Sequence, residues 1–272
     1  MARFRCFSCF RTSKGKTEES LEGKHGYGTG GVIVKADQPK FVRCVTNARE
    51  SKELIVAIDT SDQRCCLGEH LYKGFLENGQ EVAVKMFRFD ELPDFRSELT
   101  LLKGLEHSNL VKMTGYCDRG EYHVIVYEFI PCGSLNLHLH DLQPGKKPLH
   151  WKTRMKIAHG VAKALEYLHH QQDPPCILSG VRYTSILLDK NYNPKLTEFS
   201  CATPGPKANC LRLDTRLMQR YGYIAPEYAM SPILTLKSDV YGFGILLLEL
   251  ISGEKPVGKN IRGSGMTTIV SW

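Results

Sequence analysis

The glycine-rich stretch at residues 26–31 has the composition of a loop that could bind phosphate. It is followed by three β-branched residues and then by Lys35, and backbone amides beside a lysine are a common way to hold phosphate oxygens. The spacing argues against this chemistry, because a glycine-rich loop that covers nucleotide phosphates turns between two strands and takes its lysine from a third. The second strand has no room here. We therefore predict a flexible glycine-rich linker, within which a strand near 32–34 could form.

The ten cysteines are further residues that could do chemistry, either by binding a metal or by forming disulfides. Only Cys6 and Cys9 make a Cys-x-x-Cys pair, and neither a second such pair nor paired histidines follow at zinc-binding spacing. The N-terminus also lacks the long apolar region of a secretory signal. We therefore expect reduced thiols, as is usual in the cytosol.

The bulk composition is that of a soluble globular protein large enough to bury a sizeable core. The chain has 272 residues, of which 42% are hydrophobic and 24% are charged. No apolar stretch reaches about 18 residues, so no transmembrane helix is predicted. The formal net charge of +7 favours an anionic partner surface. We do not expect nucleic acid as that partner, because the sequence has neither a dense Lys/Arg run nor an aromatic platform.

The first 20 residues combine basic side chains with phenylalanines around Cys6 and Cys9. A cysteine beside basic residues is typical of palmitoylation, which together with the positive charge predicts attachment to the anionic inner leaflet of the plasma membrane. Myristoylation needs glycine at position 2, where this chain has Ala2. The alternative is a disordered tail that carries no lipid.

A hairpin is the strongest local signal of strand structure. The residue pattern predicts strands at 71–73 and 81–85. Asn78-Gly79 lies between them and is typical of a type I′ turn, which needs a positive φ at both central residues.

Helices are predicted mainly after the strands. Apolar residues at helical spacing predict helices at 94–105 and 154–169, and a further strand is predicted at 123–127. The change from strands to helices falls near residue 130. This order is typical of an α+β fold with two segregated lobes.

Five short motifs occur in one order along the chain and together resemble a protein kinase: Val82-Ala83-Val84-Lys85, Gly133-Ser134-Leu135, Ile186-Leu187-Leu188-Asp189, Ala225-Pro226-Glu227 and the segment 238–244. Within kinases, the segments 139–144, 149–158 and 221–230 and the cysteine-containing tip resemble a plant receptor-like cytoplasmic kinase of the Pelle-related family, similar to subgroup VII. The resemblance covers about residues 55–258.

The resemblance implies an α+β, bilobal protein-kinase-like fold. Residues 1–55 would be a basic, cysteine-containing and flexible N-terminal segment. Residues 56–130 would form a small β-rich N-lobe, and residues 131–272 a helical C-lobe that is truncated after a helix at 240–251. Seven apolar residues of that helix are expected to lie partly uncovered, which predicts marginal stability: Tyr241, Phe243, Ile245, Leu246, Leu247, Leu248 and Leu250.

The resemblance also implies a set of nucleotide-binding positions. Lys85 matches the lysine that holds the α- and β-phosphates, and Glu98 matches the helix glutamate that pairs with it. A purely structural role for this pair is equally open, because either charge would be costly to bury alone. The resemblance places the remaining positions around the adenine, with Tyr127 as gatekeeper: Ala83, Leu187 and the segment from Glu128 to Ile130.

The departures from the family cluster at the chemistry. Gly180 stands where the resemblance implies the catalytic Asp, and Ser185 stands at the position of the metal-binding Asn. Loss of a general base typically costs about 100- to 10,000-fold in rate. Glu198 replaces the metal-binding Asp and adds one methylene, so it is only a weak candidate for a metal ligand, because a displacement of about 1 Å can cost about 100-fold.

Further departures affect phosphate binding and regulation. Side chains occupy all three expected glycine positions of the nucleotide loop, which weakens phosphate binding: Arg64, Cys66 and Glu69. The arginine that would clamp a phosphorylated activation loop is replaced by Ser179, so that Asp214 in that loop lacks a partner. The substrate-docking pair before Tyr221 is changed to Gln219-Arg220.

Positions that maintain the shape of a kinase are kept. Asp239 matches the helix residue that tethers the backbone of the catalytic loop. The four apolar residues that join the lobes in an assembled kinase are matched by apolar residues here: Leu102, Met113, Leu178 and Phe199.

These features predict a pseudokinase that acts as a non-catalytic scaffold, decoy or regulator in plant receptor-kinase signalling at the plasma membrane, an immune role among the options. The expected partners are receptor kinases or other signalling proteins and the inner membrane surface, and not nucleic acid. ATP and Mg are expected to bind weakly and not to be required. Two alternatives stay open: a weak ATP-dependent serine/threonine protein kinase, and a truncated product with little independent function.

Overall fold

The structure is a computed structural model that describes residues 40–46, 53–58, 66–68, 71–118, 123–142, 145–205, 221–230, 234–259 and 266–271. The chain divides into two compact units. The first unit comprises Met1–Arg88 and Thr114–Phe129, and the second comprises Phe89–Met113 and Ile130–Trp272. One break between the units falls at residue 130, near the predicted change from strands to helices, but Phe89–Met113, which was predicted to belong to the N-lobe, lies in the second unit.

The first unit is built on an antiparallel sheet. Its strands are β1 (Lys40–Thr46), β2 (Glu53–Ile58), β3 (Cys66–Gly68), β4 (Leu71–Leu76), β5 (Glu81–Phe87), β6 (Met113–Cys117) and β7 (His123–Glu128). Their order across the sheet is β2-β1-β6-β7-β5-β4-β3, and β2 also pairs with β4. This additional pairing curls the sheet. The predicted domain boundary at residue 55 falls within β2. Strand β1, which was predicted to belong to the N-terminal segment, pairs with β2 and is part of the sheet.

The β4–β5 hairpin was predicted correctly, but its turn is of a different type. Gly79 has a φ of 81°, whereas Asn78 is not among the residues with positive φ. Leu76 and Gln80 close a three-residue loop, since the amide of Leu76 donates to the carbonyl of Gln80 and the amide of Gly79 donates to the carbonyl of Leu76, both at 2.9 Å. A type I turn followed by a left-handed glycine satisfies this loop, so Asn78 needs no positive φ.

The core of the first unit is dominated by valine side chains from three strands, β2, β5 and β7. Val56, Val84 and Val126 are fully buried, together with Val82 and Val124. Gly74 of β4 faces this core, where an added Cβ would lie 2.8 Å from Val84. The glycine therefore leaves room for the side chains of Val84 and Val56.

The second unit is mainly helical. Its helices are α1 (Leu92–Leu102), α2 (Asn136–Leu139), α3 (Trp151–His170), α4 (Pro226–Met230) and α5 (Leu236–Ser252). Its strands form the pairs β8 (Cys176–Ile177) with β11 (Thr203–Pro204), β9 (Ile186–Leu188) with β10 (Pro194–Leu196), and β12 (Val257–Lys259) with β13 (Met266–Thr268). Helix α3 packs against α5. Among the described residues, none of the helices combines the length and the apolar character that a membrane span requires.

Helix α5 is delimited by its end residues. The Ser238 hydroxyl accepts a hydrogen bond from the amide of Thr235 at 3.3 Å, and Gly253 ends the helix with a φ of 79°. These are common solutions for the unpaired backbone groups at helix ends.

The predicted exposure of α5 was partly wrong. Ile245, Leu246 and Leu250 are buried, whereas Leu248 is 40% exposed. The reason is local: Ile269, from the segment after β13, packs with Ile245 and Tyr223 in one apolar cluster. Tyr241, Phe243 and Leu247 are half-buried.

Candidate functional site

The loop between β8 and β9 is the site that the sequence analysis singled out, and it is held at both ends by strand pairing. Ile177 at the end of β8 pairs with Thr203 of β11. On the other side, Leu187 of β9 pairs with Lys195 and bridges to Ser134. A short 3₁₀ turn at Tyr183–Ser185 leads into β9.

The carboxylate of Asp239 in α5 holds this loop by hydrogen bonds to its backbone. Its carboxylate is fully buried and accepts hydrogen bonds from the backbone amides of Leu178 at 2.8 Å and Gly180 at 2.9 Å. The Nε2 atom of His169 lies 3.0 Å from Asp239 Oδ2. This geometry confirms the tethering role predicted for Asp239.

The thiol of Cys176 lies near Asp239 and is expected to be unreactive. Burial, with a smaller contribution from the negative charge of Asp239, raises the pKa of Cys176 to about 12. A thiolate is the reactive form of cysteine, so this thiol is neutral near pH 7 and a poor nucleophile.

Gly180 occupies the predicted position of the catalytic base in a backbone conformation that suits glycine. Its φ is 118°, and the preceding Ser179 has a φ of 66°. An added Cβ at Gly180 would meet nothing closer than 3.8 Å, at the carbonyl oxygen of Tyr223. The site therefore has room for a side chain, but its φ disfavours any residue other than glycine.

Restoring an aspartate at this position is expected to destabilise the protein. Gly180→Asp should lower the free energy of unfolding by about 1–3 kcal/mol, because a non-glycine residue must adopt a strained φ. Chemical denaturation followed by circular dichroism measures this change. The control is Gly104→Asp at an exposed glycine without a positive φ, where the expected change is within about 0.5 kcal/mol. Equal stability losses in both variants would show that φ at Gly180 is not the cause.

Arg182 lies at the centre of the polar contacts in this loop. Its Nη2 atom donates to Oε2 of Glu198 at 2.5 Å. Its backbone amide donates to the Ser185 hydroxyl at 3.0 Å, and that hydroxyl donates to the Arg182 carbonyl at 2.8 Å. Arg182 thus links the loop to the segment around Glu198.

The two candidate metal positions are therefore already engaged. Ser185 is a buried residue, 4% exposed, and its hydroxyl donates a hydrogen bond to the carbonyl of Arg182. The carboxylate of Glu198 forms an ion pair with the guanidinium of Arg182. Nowhere in the described parts of the chain do three or more His, Cys, Asp or Glu residues converge as a metal site. This donor set does not fit a magnesium ion, which prefers several free oxygen ligands.

Three of the proposed nucleotide-binding residues lie in the first unit, on neighbouring strands. Ala83 is buried in β5, opposite Tyr127 of β7. Lys85 is half-buried opposite Ile125, and its Nζ lies 4.9 Å from the centroid of the Phe87 ring. Glu128 is half-buried at the end of β7, opposite Val82.

The other three proposed nucleotide-binding residues lie in the second unit. Glu98 is 1% exposed on the buried face of α1, next to Phe95, Leu99 and Leu102. Ile130 is buried at the start of the second part of this unit. Leu187 is half-buried in β9.

The four apolar residues expected to stabilise an assembled kinase all belong to the second unit and are buried: Leu102, Met113, Leu178 and Phe199. Helix α1 packs against the 3₁₀ turn Phe199–Cys201. Glu198, immediately before this turn, has a left-handed φ of 67°. The turn and α1 therefore pack against each other through buried residues that include Phe199 and Leu102.

A cavity of about 190 Å³ opens beside the loop, and its lining includes Arg182, Tyr183, Tyr221 and Lys255. Small-molecule sites usually enclose about 300–1,000 Å³. This cavity is therefore too small to enclose a nucleotide.

A second buried polar cluster surrounds Glu249 of α5. Its Oε2 atom accepts a hydrogen bond from the Tyr223 hydroxyl at 2.5 Å, and its Oε1 atom lies 3.2 Å from Nε2 of His140. Tyr183 packs edge-on against the His140 ring. Burial raises the pKa of the Glu249 carboxyl, against the opposing effect of these hydrogen bonds.

The pH dependence of stability is expected to reflect Glu249. A carboxyl with a raised pKa in the folded state stabilises the fold fully below its ordinary pKa, and that contribution is lost as pH rises through the folded pKa. The facing groups are His140, Tyr223 and Tyr183; burial raises the pKa of both tyrosines, which therefore stay neutral below pH 8. Glu249→Gln keeps the shape of the side chain but removes its charge. The free energy of unfolding of this variant, relative to that of the native chain, should therefore rise with pH, by at most about 1.4 kcal/mol per pH unit.

Urea denaturation of both proteins between pH 4 and 8 measures this difference. Subtracting the two curves cancels the titration of distant groups. A stability difference that stays constant or falls with rising pH would contradict the raised pKa of Glu249.

Sequence reasoning missed Arg182 and the Glu249 cluster. The signal for Arg182 was a basic residue two positions after Gly180, combined with a carboxylate lengthened to Glu198. No comparable signal existed for Glu249, because its partners His140 and Tyr223 are distant in sequence.

Several predicted functional residues lie outside the described residues: Cys6, Cys9, Arg64, Glu69, Asp214, Gln219 and Arg220. Cys66 belongs to β3. The expectations for their side chains stay predictions.

The fold and this loop define a protein kinase, and comparison with known proteins agrees. The family model described as protein tyrosine and serine/threonine kinase matches residues 67–270. The chain therefore belongs to the protein kinase family, and the predicted α+β kinase fold is confirmed.

The similar curated proteins are plant kinases. Probable serine/threonine-protein kinase PBL7 of Arabidopsis thaliana is 46% identical over 228 residues, which cover 81% of this chain and 60% of that protein. Serine/threonine-protein kinase PBL27 of the same species is 40% identical over 299 aligned positions, covering 98% of this chain and 58% of that protein. Probable serine/threonine-protein kinase PBL25 is 42% identical, with 98% of this chain and 74% of that protein covered. This chain thus spans about three fifths of the length of the first two.

Proposed function

We propose that this chain is a pseudokinase, a kinase-family protein that acts through binding and not through phosphoryl transfer. The observation that carries the proposal is Gly180, which stands at the position of the catalytic base with a φ of 118°. The rest of segment 177–189 offers no carboxylate before Asp189. The carboxylate of Asp189 is itself bound by the amides of Asn191 and Asn193 and by the side chain of Asn193, each at 2.8 Å.

The expected loss of activity is large. Removal of a general base costs about 100- to 10,000-fold, and phosphoryl transfer otherwise depends on positioning and electrostatic stabilisation by metal ions. The contacts of Ser185 and Glu198 with Arg182 compromise that second contribution as well.

We further propose that ATP binds weakly and is not required for function. Lys85, Ala83, Glu128, Glu98, Ile130 and Leu187 would supply what binding remains. The side chains at the three expected glycine positions, Arg64, Cys66 and Glu69, oppose close approach of the backbone to phosphates.

The proposed role is that of a scaffold, decoy or regulator that binds receptor kinases or other signalling proteins. Binding requires the shape of a kinase, and the buried positions Asp239, Leu178 and Phe199 support that shape. The proposed location is the inner face of the plasma membrane, reached through Cys6 and Cys9.

A weak serine/threonine protein kinase is the second candidate. The observation that favours it is the 40–46% identity to plant proteins named as serine/threonine-protein kinases or probable serine/threonine-protein kinases. In this case Lys85, Glu98 and Glu198 would be the active residues.

A phosphotransfer assay separates the two candidates. The purified chain, its Lys85→Met variant and, for comparison, PBL27, which is named a serine/threonine-protein kinase, are incubated with radiolabelled ATP, magnesium and a general protein substrate. We expect the chain to transfer no more phosphate than Lys85→Met. Transfer that exceeds this background and disappears in Lys85→Met would overturn the proposed function.

The proposed membrane attachment has its own test in plant cells. A fluorescent fusion of the full chain should lie at the plasma membrane, and Cys6→Ser with Cys9→Ser should release it into the cytoplasm. The control is the Cys44→Ser fusion, a cysteine outside the tip. A double variant that stays at the membrane would disprove the lipid anchor.

A further inference from the structure

We propose that the guanidinium of Arg182 takes the place of the divalent metal ion at Glu198, so that the catalytic-loop region is closed by an internal ion pair and has no magnesium site. This inference rests on the proposed non-catalytic function, because a protein that transfers phosphate in this family uses metal ions for charge neutralisation. It assigns to Arg182 the neutralising role that the metal has in an active kinase.

The first support is the geometry of the ion pair. Arg182 Nη2 and Glu198 Oε2 are 2.5 Å apart, a charge-assisted hydrogen bond. The Arg182 side chain is only 15% exposed, whereas that of Glu198 is 37% exposed. The carboxylate is therefore neutralised by a cation that is mostly shielded from solvent and is part of the same chain.

The second support is the use of Ser185. Its hydroxyl accepts from the Arg182 amide and donates to the Arg182 carbonyl. A serine hydroxyl has one proton and two acceptor lone pairs, so this one keeps a single lone pair, on a residue that is only 4% exposed. Both side chains at the candidate metal positions thus have Arg182 as their partner.

The third support is the chemistry of magnesium. The ion demands near-ideal octahedral geometry, sheds its water reluctantly, and is usually held by one or two carboxylates together with phosphates. Here the Glu198 carboxylate already has a cation at hydrogen-bond distance. A divalent ion at Glu198 would have to displace the guanidinium or sit next to it, and like charges at that distance repel.

Asp239 of α5, whose carboxylate is hydrogen-bonded to the loop, offers no alternative site. Its oxygens accept from the amides of Leu178 and Gly180 and lie next to His169. Moving it toward a metal would break these bonds and leave buried amides without partners, which is costly.

The inference has a structural consequence. In this chain the loop at 178–185 and the turn at Phe199–Cys201 are connected through Arg182 and Glu198 regardless of metal concentration. Replacing Arg182 should therefore loosen the segment around Glu198, and adding magnesium should not tighten it.

Hydrogen exchange measured by mass spectrometry tests this connection in the full chain. Arg182→Met is expected to raise the exchange rate of peptides covering 196–202 by roughly two- to fivefold, in line with an ion pair that is partly exposed. Glu198→Gln should have a similar effect, and the double variant should be no worse than either single one, because the two residues act as one pair. The matched control is Arg96→Met, which removes an exposed arginine from α1 and should leave these peptides unchanged.

Binding of Mn²⁺ as a magnesium substitute, followed by electron paramagnetic resonance, provides a second readout that does not depend on activity. At millimolar Mn²⁺, we expect the native chain and Glu198→Gln to bind the same amount of the ion, so that no binding depends on Glu198. One equivalent of Mn²⁺ bound through Glu198 would overturn the inference. Additive exchange effects of Arg182→Met and Glu198→Gln would overturn it as well. Arg182→Lys serves as a conservative variant if Arg182→Met fails to fold; it should restore only part of the protection.

These outcomes are distinguishable from failure of the proposed function. Glu198-dependent Mn²⁺ binding without Lys85-dependent phosphotransfer removes the present inference and leaves the non-catalytic role in place. Lys85-dependent phosphotransfer removes the proposed function itself, and with it the basis for a metal-free site.

Discussion

Replacing Asp239 by alanine is expected to lower the free energy of unfolding by about 3–5 kcal/mol, as is typical when one partner of a buried charged network is removed. The carboxylate is fully buried and accepts from the amides of Leu178 and Gly180, with His169 at 3.0 Å. Without it, two buried amides lose their acceptor, at about 1–3 kcal/mol for each unsatisfied group. Urea denaturation followed by circular dichroism measures the global effect.

Two further variants make the Asp239 prediction specific. Asp239→Asn keeps the size but turns an amide toward backbone donors, so it should also destabilise, by about 2–3 kcal/mol. Asp118→Ala removes an exposed aspartate immediately after β6 and should change stability by less than about 0.5 kcal/mol. Hydrogen exchange in segment 177–189 should increase in both Asp239 variants. Unchanged exchange there would show that Asp239 does not hold the loop.

Replacing Phe199 by alanine is expected to cost about 3–5 kcal/mol, the range for large-to-small substitutions of aromatic core residues. Phe199 is fully buried, and the 3₁₀ turn that it begins packs against α1, whose own buried face includes Leu99 and Leu102. Truncation of the ring removes apolar burial and leaves a cavity between the turn and the helix. The free energy of unfolding from chemical denaturation is the measurement.

Phe89→Ala is the matched control for Phe199. Phe89 lies just before α1 but is 86% exposed, so the same truncation should change stability by less than about 0.5 kcal/mol. Similar losses in the two variants would mean that the burial of Phe199 is not what stabilises the second unit. A large difference would support a role for this residue in maintaining the kinase shape.

Together the two predictions concern the positions that keep their structural role in a chain with altered chemistry. Asp239 and Phe199 hold the loop and the turn between which the catalytic groups of a kinase would lie. If both are needed for stability, these buried positions maintain the structure of the second unit.

Much of the fold could be predicted because its signals are local. The β4–β5 hairpin follows from Asn78-Gly79 between two strand patterns, and helices α1 and α3 follow from apolar residues at helical spacing. Helix α5 follows from the family resemblance, and the ends of all three helices differ from the prediction by only a few residues. The type of turn could not be predicted, because the closing hydrogen bonds between Leu76 and Gln80 decide it. The burial of Ile245 also required tertiary information, since it depends on Ile269 folding back onto α5.

The candidate site divides in the same way. Motif spacing assigned the residues at 180, 185 and 198 to their positions in the family, so the absence of a carboxylate at Gly180 could be predicted from the sequence. The contacts of those residues could not be predicted. The pairing of Arg182 with Glu198 joins residues from separate segments, and the return of the Ser185 hydroxyl to Arg182 depends on the 3₁₀ turn.

The sequence by itself determined that this chain has a kinase fold and which catalytic side chains it lacks, because the family motifs are recognised from residue types and their spacing. Only the tertiary structure decided what the remaining side chains do. It showed that Gly180 adopts a φ that disfavours an aspartate, and that Glu198 faces an arginine. Backbone strain and charge pairing depend on which segments meet in space, and linear spacing does not specify that.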